Sequence, residues 1–476
     1  MKPLTLAICT AALLASLGPG TSHAAGSGTG QPRNIILLIG DGMGEQQLAI
    51  ARNYLRGARG RLLMDTLPVR SAAQVLTIED RGAGQPMYVA DSANTATSMA
   101  TGAVTSRGRI ATSAGSDEDL PTIVELAAAA GYRTGLVSTA SVTDATPAAF
   151  AAHISERLCE NPDNVERVVQ ATPYKDIELG GCPADAMRNG GPGAISEQLA
   201  QSGLHVLLGG GRKHFTVASE TGPGSVLELA VDKGFTSVST RQQLLASQPG
   251  ARLLGIFASG HLPVRLQGEG GRIAELPKPS LLNRLHPYLG DVSLPPTMVC
   301  EPNPAFAGTP SLQEMTGIAL RHLSADNDRG FFLMVESASI DKQAHRRNPC
   351  GSIGEVAQLD EALGSALAFA RQHPHTLVLV TADHTHAAQL IPYVSLYDRV
   401  PVPIYTPGYL ARIETPEGGY MAVNYATTSF SREEHTGAAV PVLANAEGKG
   451  RLPGFIAQPD LFRIMAAYLE LPAARD

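Results

Sequence analysis

Short, unbroken apolar runs alternate along this chain with longer stretches in which apolar residues recur at helical spacing. Ile35-Ile36-Leu37-Leu38-Ile39 has no polar interruption, the pattern of a strand covered on both faces rather than one. It leads into Gly40-Asp41-Gly42-Met43-Gly44 and then a helical stretch. Thr122 to Ala130 predicts a helix stopped by Gly131, and Thr134 to Ser138 predicts the strand after it. Phe331 to Val335 predicts another strand, Gln358 to Arg371 an amphipathic helix, and Thr376 to Val380 the strand that follows. The alternation predicts an α/β fold with a mainly parallel sheet sandwiched by helices.

Polar residues sit where these runs stop. Asp41 follows the first, Glu336 follows Val335, and Asp383 with His384 follows Thr381-Ala382; Asp144 and Thr146 lie a few residues beyond the strand at Leu136. One strand-end Asp is more commonly a cap or turn residue. Repetition at several strand ends instead predicts one rim, because open α/β sheets bind ligands beyond the carboxyl ends of their strands. Asp341 and His345 are four apart and would share one helix face, and His435 in Glu434-His435-Thr436-Gly437 offers a further imidazole. Carboxylates with imidazoles and no thiolate suit zinc, whereas the oxygen-only set Asp41, Glu336 and Thr146 suits magnesium. Asp91-Ser92-Ala93-Asn94-Thr95-Ala96-Thr97 fits two descriptions. It is a helix cap, or it carries a nucleophile at Ser92 whose alkoxide a base or cation must stabilise. The company of so many metal-ligand candidates favours the nucleophile.

Of the 476 residues, 43% are apolar, enough to bury a large core as one big domain or two smaller ones. The net charge of −7 and the lack of a basic run argue against a nucleic-acid-binding surface. Leu208 to Lys213 is glycine-rich but lacks the Gly-Lys-Ser/Thr of a phosphate loop, and is expected to be a turn. Lys2, the apolar stretch Leu4 to Leu17 and Ser22-His23-Ala24 predict a cleaved secretory signal over 1–24. The mature chain 25–476 is then expected to be soluble, periplasmic or secreted, with no later run approaching the ~20 apolar residues of a membrane span. Cys9 leaves with the signal. Four cysteines remain, and of their three possible pairings the sequence-local one, Cys159 with Cys182 and Cys300 with Cys350, is expected.

Six stretches together carry a family resemblance: Asn34 to Gly44, Asp91 to Thr97, Asp144 to Arg157, Phe332 to His345, Thr381 to His386 and Glu434 to Gly437. Over nearly all of its mature length the chain resembles the bacterial alkaline phosphatases. The resemblance implies a doubly wound α/β sandwich, a homodimer, and an inserted surface subdomain at roughly Gln389 to Arg432. It implies two zinc ions, one held by Asp341, His345 and His435 and the other by Asp41, Asp383 and His384. Asp41 would also reach one magnesium ion shared with Glu336 and Thr146 and supported by Asp144. Ser92 would be the nucleophile, Arg157 the phosphate clamp oriented by Asp91, Lys342 a phosphate contact through water, and His386 a support for Asp341. The implied reaction is hydrolysis of phosphate monoesters through a covalent phosphoserine. A phosphodiesterase or sulfatase on the same scaffold and a non-catalytic phosphate-binding protein are the alternatives. Asn94 departs from the pattern, where the best-matched relatives carry a smaller residue, and a difference in local polarity or in rate is expected from it.

Overall fold

A computed structural model describes residues 31–81, 84–171, 175–393 and 406–472. The expected signal, 1–24, lies outside them, as does 394–405 of the expected insertion. Ten strands form the central sheet: β1 Arg33–Gly40, β2 Val69–Gln74, β3 Arg133–Ser141, β4 Val206–Gly210, β5 Phe235–Val238, β6 Arg252–Ile256, β7 Gly330–Ser337, β8 Thr376–Ala382, β9 Val440–Ala444 and β10 Phe455–Ala457. Their spatial order is β10-β2-β9-β8-β1-β7-β3-β4-β6-β5. Only the pairings of β9, with β8 and β2, are antiparallel. The expected parallel α/β class is therefore the one observed.

β1 occupies the middle because it can be covered everywhere. Ile35 to Ile39 are all fully buried, and Ile35 stands in register with Phe332 of β7 on one side and Leu377 of β8 on the other. Each such side chain stabilises the fold by roughly 1.5–3 kcal/mol through its burial. The turn after β1 requires Gly42, which has φ +69°, and a Cβ there would come within 3.1 Å of Asp341.

The helices that matter for the site are α1 Glu45–Arg56, α2 Ser92–Thr101, α3 Ile123–Ala129, α4 Ala145–Ala149, α5 Leu312–Ser324, α6 Ser339–His345 and α7 Pro349–Gln372. Thr122 and Glu125 form a reciprocal capping box that starts α3. α7 begins nine residues before the expected Gln358. Its start is set by Asn348, whose side chain accepts from the Gly351 N–H at 3.2 Å, and by Pro349, whose φ is already helical. Residues 349–356 are all buried, so this part of the helix has no polar face and no amphipathic period to detect.

A separate four-stranded sheet joins Thr297–Met298, Tyr409–Glu414, Tyr420–Tyr425 and Gln389–Ile391. Leu208 to Lys213, expected to be a turn, is instead the end of β4, the single residue Gly211 at φ +100°, and the start of the short helix Arg212–Phe215. No helix among the described residues is long and apolar enough to cross a membrane.

Both sequence-local disulfides are present, Cys159 to Cys182 and Cys300 to Cys350. The first closes a separation of 23 residues and the second one of 50, so each restricts the unfolded chain. Replacing either pair by serine is expected to lower unfolding free energy by roughly 2–4 kcal/mol. Denaturant titration of the two double variants measures the loss, and non-reducing peptide mapping checks the pairing.

Candidate active site

Four neighbouring parallel strands, β8-β1-β7-β3, deliver the polar residues. β1 stops at Gly40 and hands on Asp41; β8 stops at Ala382 and hands on Asp383 and His384. Glu336 is the penultimate residue of β7, and α6 then carries Asp341, Lys342 and His345 on a single short helix. Beyond β3, Asp144 caps α4 by accepting from the Ala145 N–H at 2.9 Å, which places Thr146 inside that first turn. Parallel alignment brings all four strand ends to one edge, so residues some 340 positions apart meet.

Two groups of metal-ligand type result. Asp41, Asp383 and His384 form one, and Asp341, His345, His386 and His435 form the other; within each, the donor atoms lie within 4.8 Å of one another. Burial raises the Asp41 carboxyl well above its usual range, and the facing Asp383 and Asp341 add to it. Burial lifts Asp383 to about 6 and Glu336 to about 7. His384 is pushed down to about 3, by burial and then by His435. Three aspartates packed in a dry pocket repel one another, and a cation between them removes that repulsion. Asp341 Oδ1 lies 3.3 Å from His386 Nε2 and 3.2 Å from His435 Nε2, yet it makes no hydrogen bond of good geometry. Thr146 Oγ1 is likewise buried without one. Oxygen and nitrogen donors that converge on common points, instead of satisfying each other, fit metal ions.

The partner of the second nitrogen differs among the four imidazoles. Nδ1 of His345 faces the Glu433 carbonyl, Nδ1 of His435 faces the Ala90 carbonyl at 2.9 Å, and Nδ1 of His384 faces the Thr385 carbonyl at 3.2 Å. A carbonyl only accepts, so in these three rings Nδ1 carries the proton and Nε2 keeps the lone pair a cation needs. His386 is the reverse. Its Nδ1 accepts from the Ala387 N–H at 2.7 Å, which puts the proton on Nε2, facing Asp341. That proton faces the Asp341 carboxylate, although His386 Nε2 and Asp341 Oδ1 are both buried without a hydrogen bond of good geometry.

Ser92 opens α2, and the segment is the helix cap that one of its two descriptions expected. Asp91 accepts from the Asn94 N–H at 3.1 Å, and the Asn94 side chain accepts from the Asp91 N–H at 2.9 Å, a reciprocal cap. The Asn94 amide also donates to the Leu76 carbonyl at 3.0 Å. The Asn94 side chain is thus engaged in holding the turn. The cap fixes Ser92, 3% exposed, with its Oγ 3.3 Å from Asp41 Oδ1 and 3.2 Å from His384 Nε2. It also stands at the positive end of the helix dipole.

Beside it, cations and carboxylates alternate. Arg157 donates to Asp91 at 3.2 Å and to Asp144 at 3.0 Å, and Lys342 pairs with Asp144 at 2.7 Å and with Asp41 at 3.8 Å. Burial works against the Asp144 charge, but Lys342, His261 and Arg157 together hold its carboxyl well below the usual range. Desolvation works against the charges of Arg157 and Lys342, but Asp144, Asp91 and Asp41 hold the first cationic, and Asp144, Asp41, Asp341 and Glu336 the second. Only two of the five guanidinium donors of Arg157 are engaged by these two carboxylates.

Three neighbours escaped the sequence reading. Ser138 donates to Glu336 at 2.5 Å, and His261 lies 3.7 Å from Asp144 with its Nδ1 accepting from the Ser141 N–H at 3.1 Å. Glu433 orients His345 through its carbonyl. Nothing in the pattern marks Ser138 or His261; Glu433 stands two residues before His435, a nearness that could have drawn notice.

Clustered cation ligands, a serine hydroxyl among them and a fixed guanidinium alongside, at the strand ends of a doubly wound sheet, define a metal-dependent hydrolase of phosphate esters. The alkaline phosphatase family model matches residues 32–428. Streptomycin-6-phosphate phosphatase of Streptomyces griseus is 40% identical over 456 residues, covering 94% of this chain and 92% of that protein. Alkaline phosphatase of Escherichia coli K12 is 39% identical over 447 residues, covering 92% and 86%. The structure of Thermus thermophilus alkaline phosphatase superposes with a TM-score of 0.66 at 22% identity, covering 97% of each chain. The chain belongs to the alkaline phosphatase family.

The ring tautomers give different expectations for different histidines. His345→Ala and His435→Ala are expected to lose about one equivalent of bound metal, measured by elemental analysis after dialysis. His386→Asn keeps the ligands and is expected to weaken binding by about 10–100-fold without abolishing it.

Proposed function

We propose that this chain hydrolyses phosphate monoesters through a phosphoserine formed on Ser92. The observation that carries the proposal is the Ser92 hydroxyl lying within hydrogen-bond distance of both Asp41 and His384, in a pocket that also holds Arg157 and Lys342. Asp341, His345 and His435 would hold one zinc ion, and Asp41, Asp383 and His384 a second. Asp41, Glu336 and Thr146, with Asp144 alongside, would hold one magnesium ion. When bound, these ions supply positive charge for the serine alkoxide and for the oxygen that leaves.

The chain's own groups account for the rest. Ser92 Oγ attacks phosphorus as the ester P–O bond breaks; the departing oxygen takes up a proton and leaves as the alcohol. Water then attacks the phosphoserine, the P–Oγ bond breaks, and inorganic phosphate and the free serine return. Asp91 and Asp144 hold the Arg157 plane so that its remaining donors can grip two nonbridging oxygens together. Lys342, held by Asp144, adds a second positive charge, which suits a dianionic monoester over a monoanionic diester or sulfate ester. His386 keeps Asp341 in place.

The N-terminal signal pattern and the two disulfides support export to an oxidising compartment, the periplasm or the medium. Assembly as a homodimer and a surface subdomain around 389–432 rest on the family likeness; sedimentation velocity tests the first.

Ser92→Ala is expected to lose most turnover while retaining its fold and metals, and acid quenching of the parent enzyme with labelled monoester should leave the label on Ser92. Label on another residue, or full turnover in the variant, would remove Ser92 from this role. Arg157→Ala is expected to lower kcat/KM by about 10–150-fold, the equivalent of about 1.5–3 kcal/mol from charge-assisted hydrogen bonds, and to weaken inhibition by inorganic phosphate in parallel.

A further inference from the structure

Two residues outside the reaction pocket, Arg347 and Glu433, form an ion pair at 2.7 Å with side chains only 5% and 0% exposed. Neither touches Ser92 or the phosphate clamp. Arg347 sits just past the end of α6, where its N–H bonds the Ala344 carbonyl at 2.9 Å and the Asn348 N–H bonds the Gln343 carbonyl at 2.8 Å. That pair of bonds terminates a helix through a left-handed residue, a position that glycine or asparagine normally fills. Here it is arginine, at φ +58°. A bulky residue kept in this conformation implies that the side chain does something a glycine could not.

Its contacts show what. The Arg347 guanidinium donates to Glu433 and also to the backbone carbonyls of Phe430 at 2.6 Å and Ser431 at 3.3 Å, and it stacks 3.6 Å over the Tyr409 ring. The other oxygen of Glu433 accepts from the Thr427 hydroxyl at 2.5 Å and from the Thr427 N–H at 3.0 Å. The Glu433 N–H bonds the His345 carbonyl at 3.0 Å, and its own carbonyl receives His345 Nδ1. Two residues on comes His435. The pair therefore joins the end of α6, which carries Asp341 and His345, to the loop that carries His435. Those three residues come from two distant parts of the chain, and the Arg347 and Glu433 pair lies buried between them.

We infer that Arg347 and Glu433 are positioning residues for the Asp341, His345 and His435 metal site, locking the His435 loop onto the end of α6 so that both imidazoles are aimed before a cation arrives. The inference rests on the assignment of those three residues as ligands of one ion. A planar fork that reaches a carboxylate and two carbonyls together is what the lock requires, so lysine is not an equivalent. Removing one partner alone would leave a buried charge and disturb the fold for a different reason. The double variant Arg347→Gly with Glu433→Gln avoids this, since it relieves the left-handed strain and leaves no unpaired charge.

Metal-free full-length chain is titrated with Zn2+ and with Co2+ against a competing chelator. The cobalt bands report the site with two imidazoles separately from the Asp41, Asp383 and His384 set. Arg347→Lys and the double variant are both expected to bind about 10–100-fold more weakly at the histidine-rich site, with the other site unchanged. Hydrogen exchange at the Thr427 and Glu433 amides of the metal-free protein should quicken in both. Parental affinity in the two variants, or equal loss at both sites, overturns the lock. His435→Ala is run alongside: if it too binds normally, the ligand assignment itself is at fault, whereas a loss there with intact Arg347 and Glu433 variants refutes the lock alone.

Discussion

Everything at the site depends on confining like charges. Three parallel strand ends bring Asp41, Glu336 and Asp383 to one buried edge, and α6 adds Asp341. Such a cluster in a medium far less polar than water is unfavourable while its members are ionised, which is why Asp41, Asp383 and Glu336 are all pushed up. The sheet can hold them there because its apolar body, from Ile35 to Ile39 and the flanking Phe331 to Val335, is fully buried and rigidly registered. The core thus supports a local arrangement that divalent cations complete.

The positive side of the pocket is organised by the same means. Asp91 does two things at once, capping α2 with one oxygen and accepting from Arg157 and the Gly108 N–H with the other. Asp144 caps α4 and receives Arg157 and Lys342. Helix capping, usually a matter of local stability worth about 1 kcal/mol, here also fixes where Ser92 and Arg157 stand relative to each other.

Much of the frame was legible in advance because parallel strands buried on both faces leave an uninterrupted apolar signature. β1, β7 and β8 are nearly coextensive with their apolar runs, and α3 is bounded by the cap and glycine that predict it. The first nine residues of α7 were not legible, since complete burial erases the alternation on which helix detection relies. The pairing of the cysteines could be proposed from nearness in sequence, but three pairings satisfied the count equally.

By itself the sequence determined which residue types stand at the strand ends, and with them the class of site: carboxylates and imidazoles after apolar runs, an arginine, and a serine among small neighbours. The family resemblance implied a division of labour among them, and only the tertiary structure gives each side chain its partners. His386 and His435 are the same residue type; the partner of each Nδ1, a backbone N–H in one and a carbonyl in the other, makes the first a proton donor and leaves the second a free lone pair. Arg346 and Arg347 are adjacent and chemically identical, yet the first is exposed and the second buried against Glu433, 86 positions away in sequence. Residue type limits what a side chain can do, but a proton's position and a charge's partner depend on atoms that the chain supplies from elsewhere, and those are fixed only when it folds.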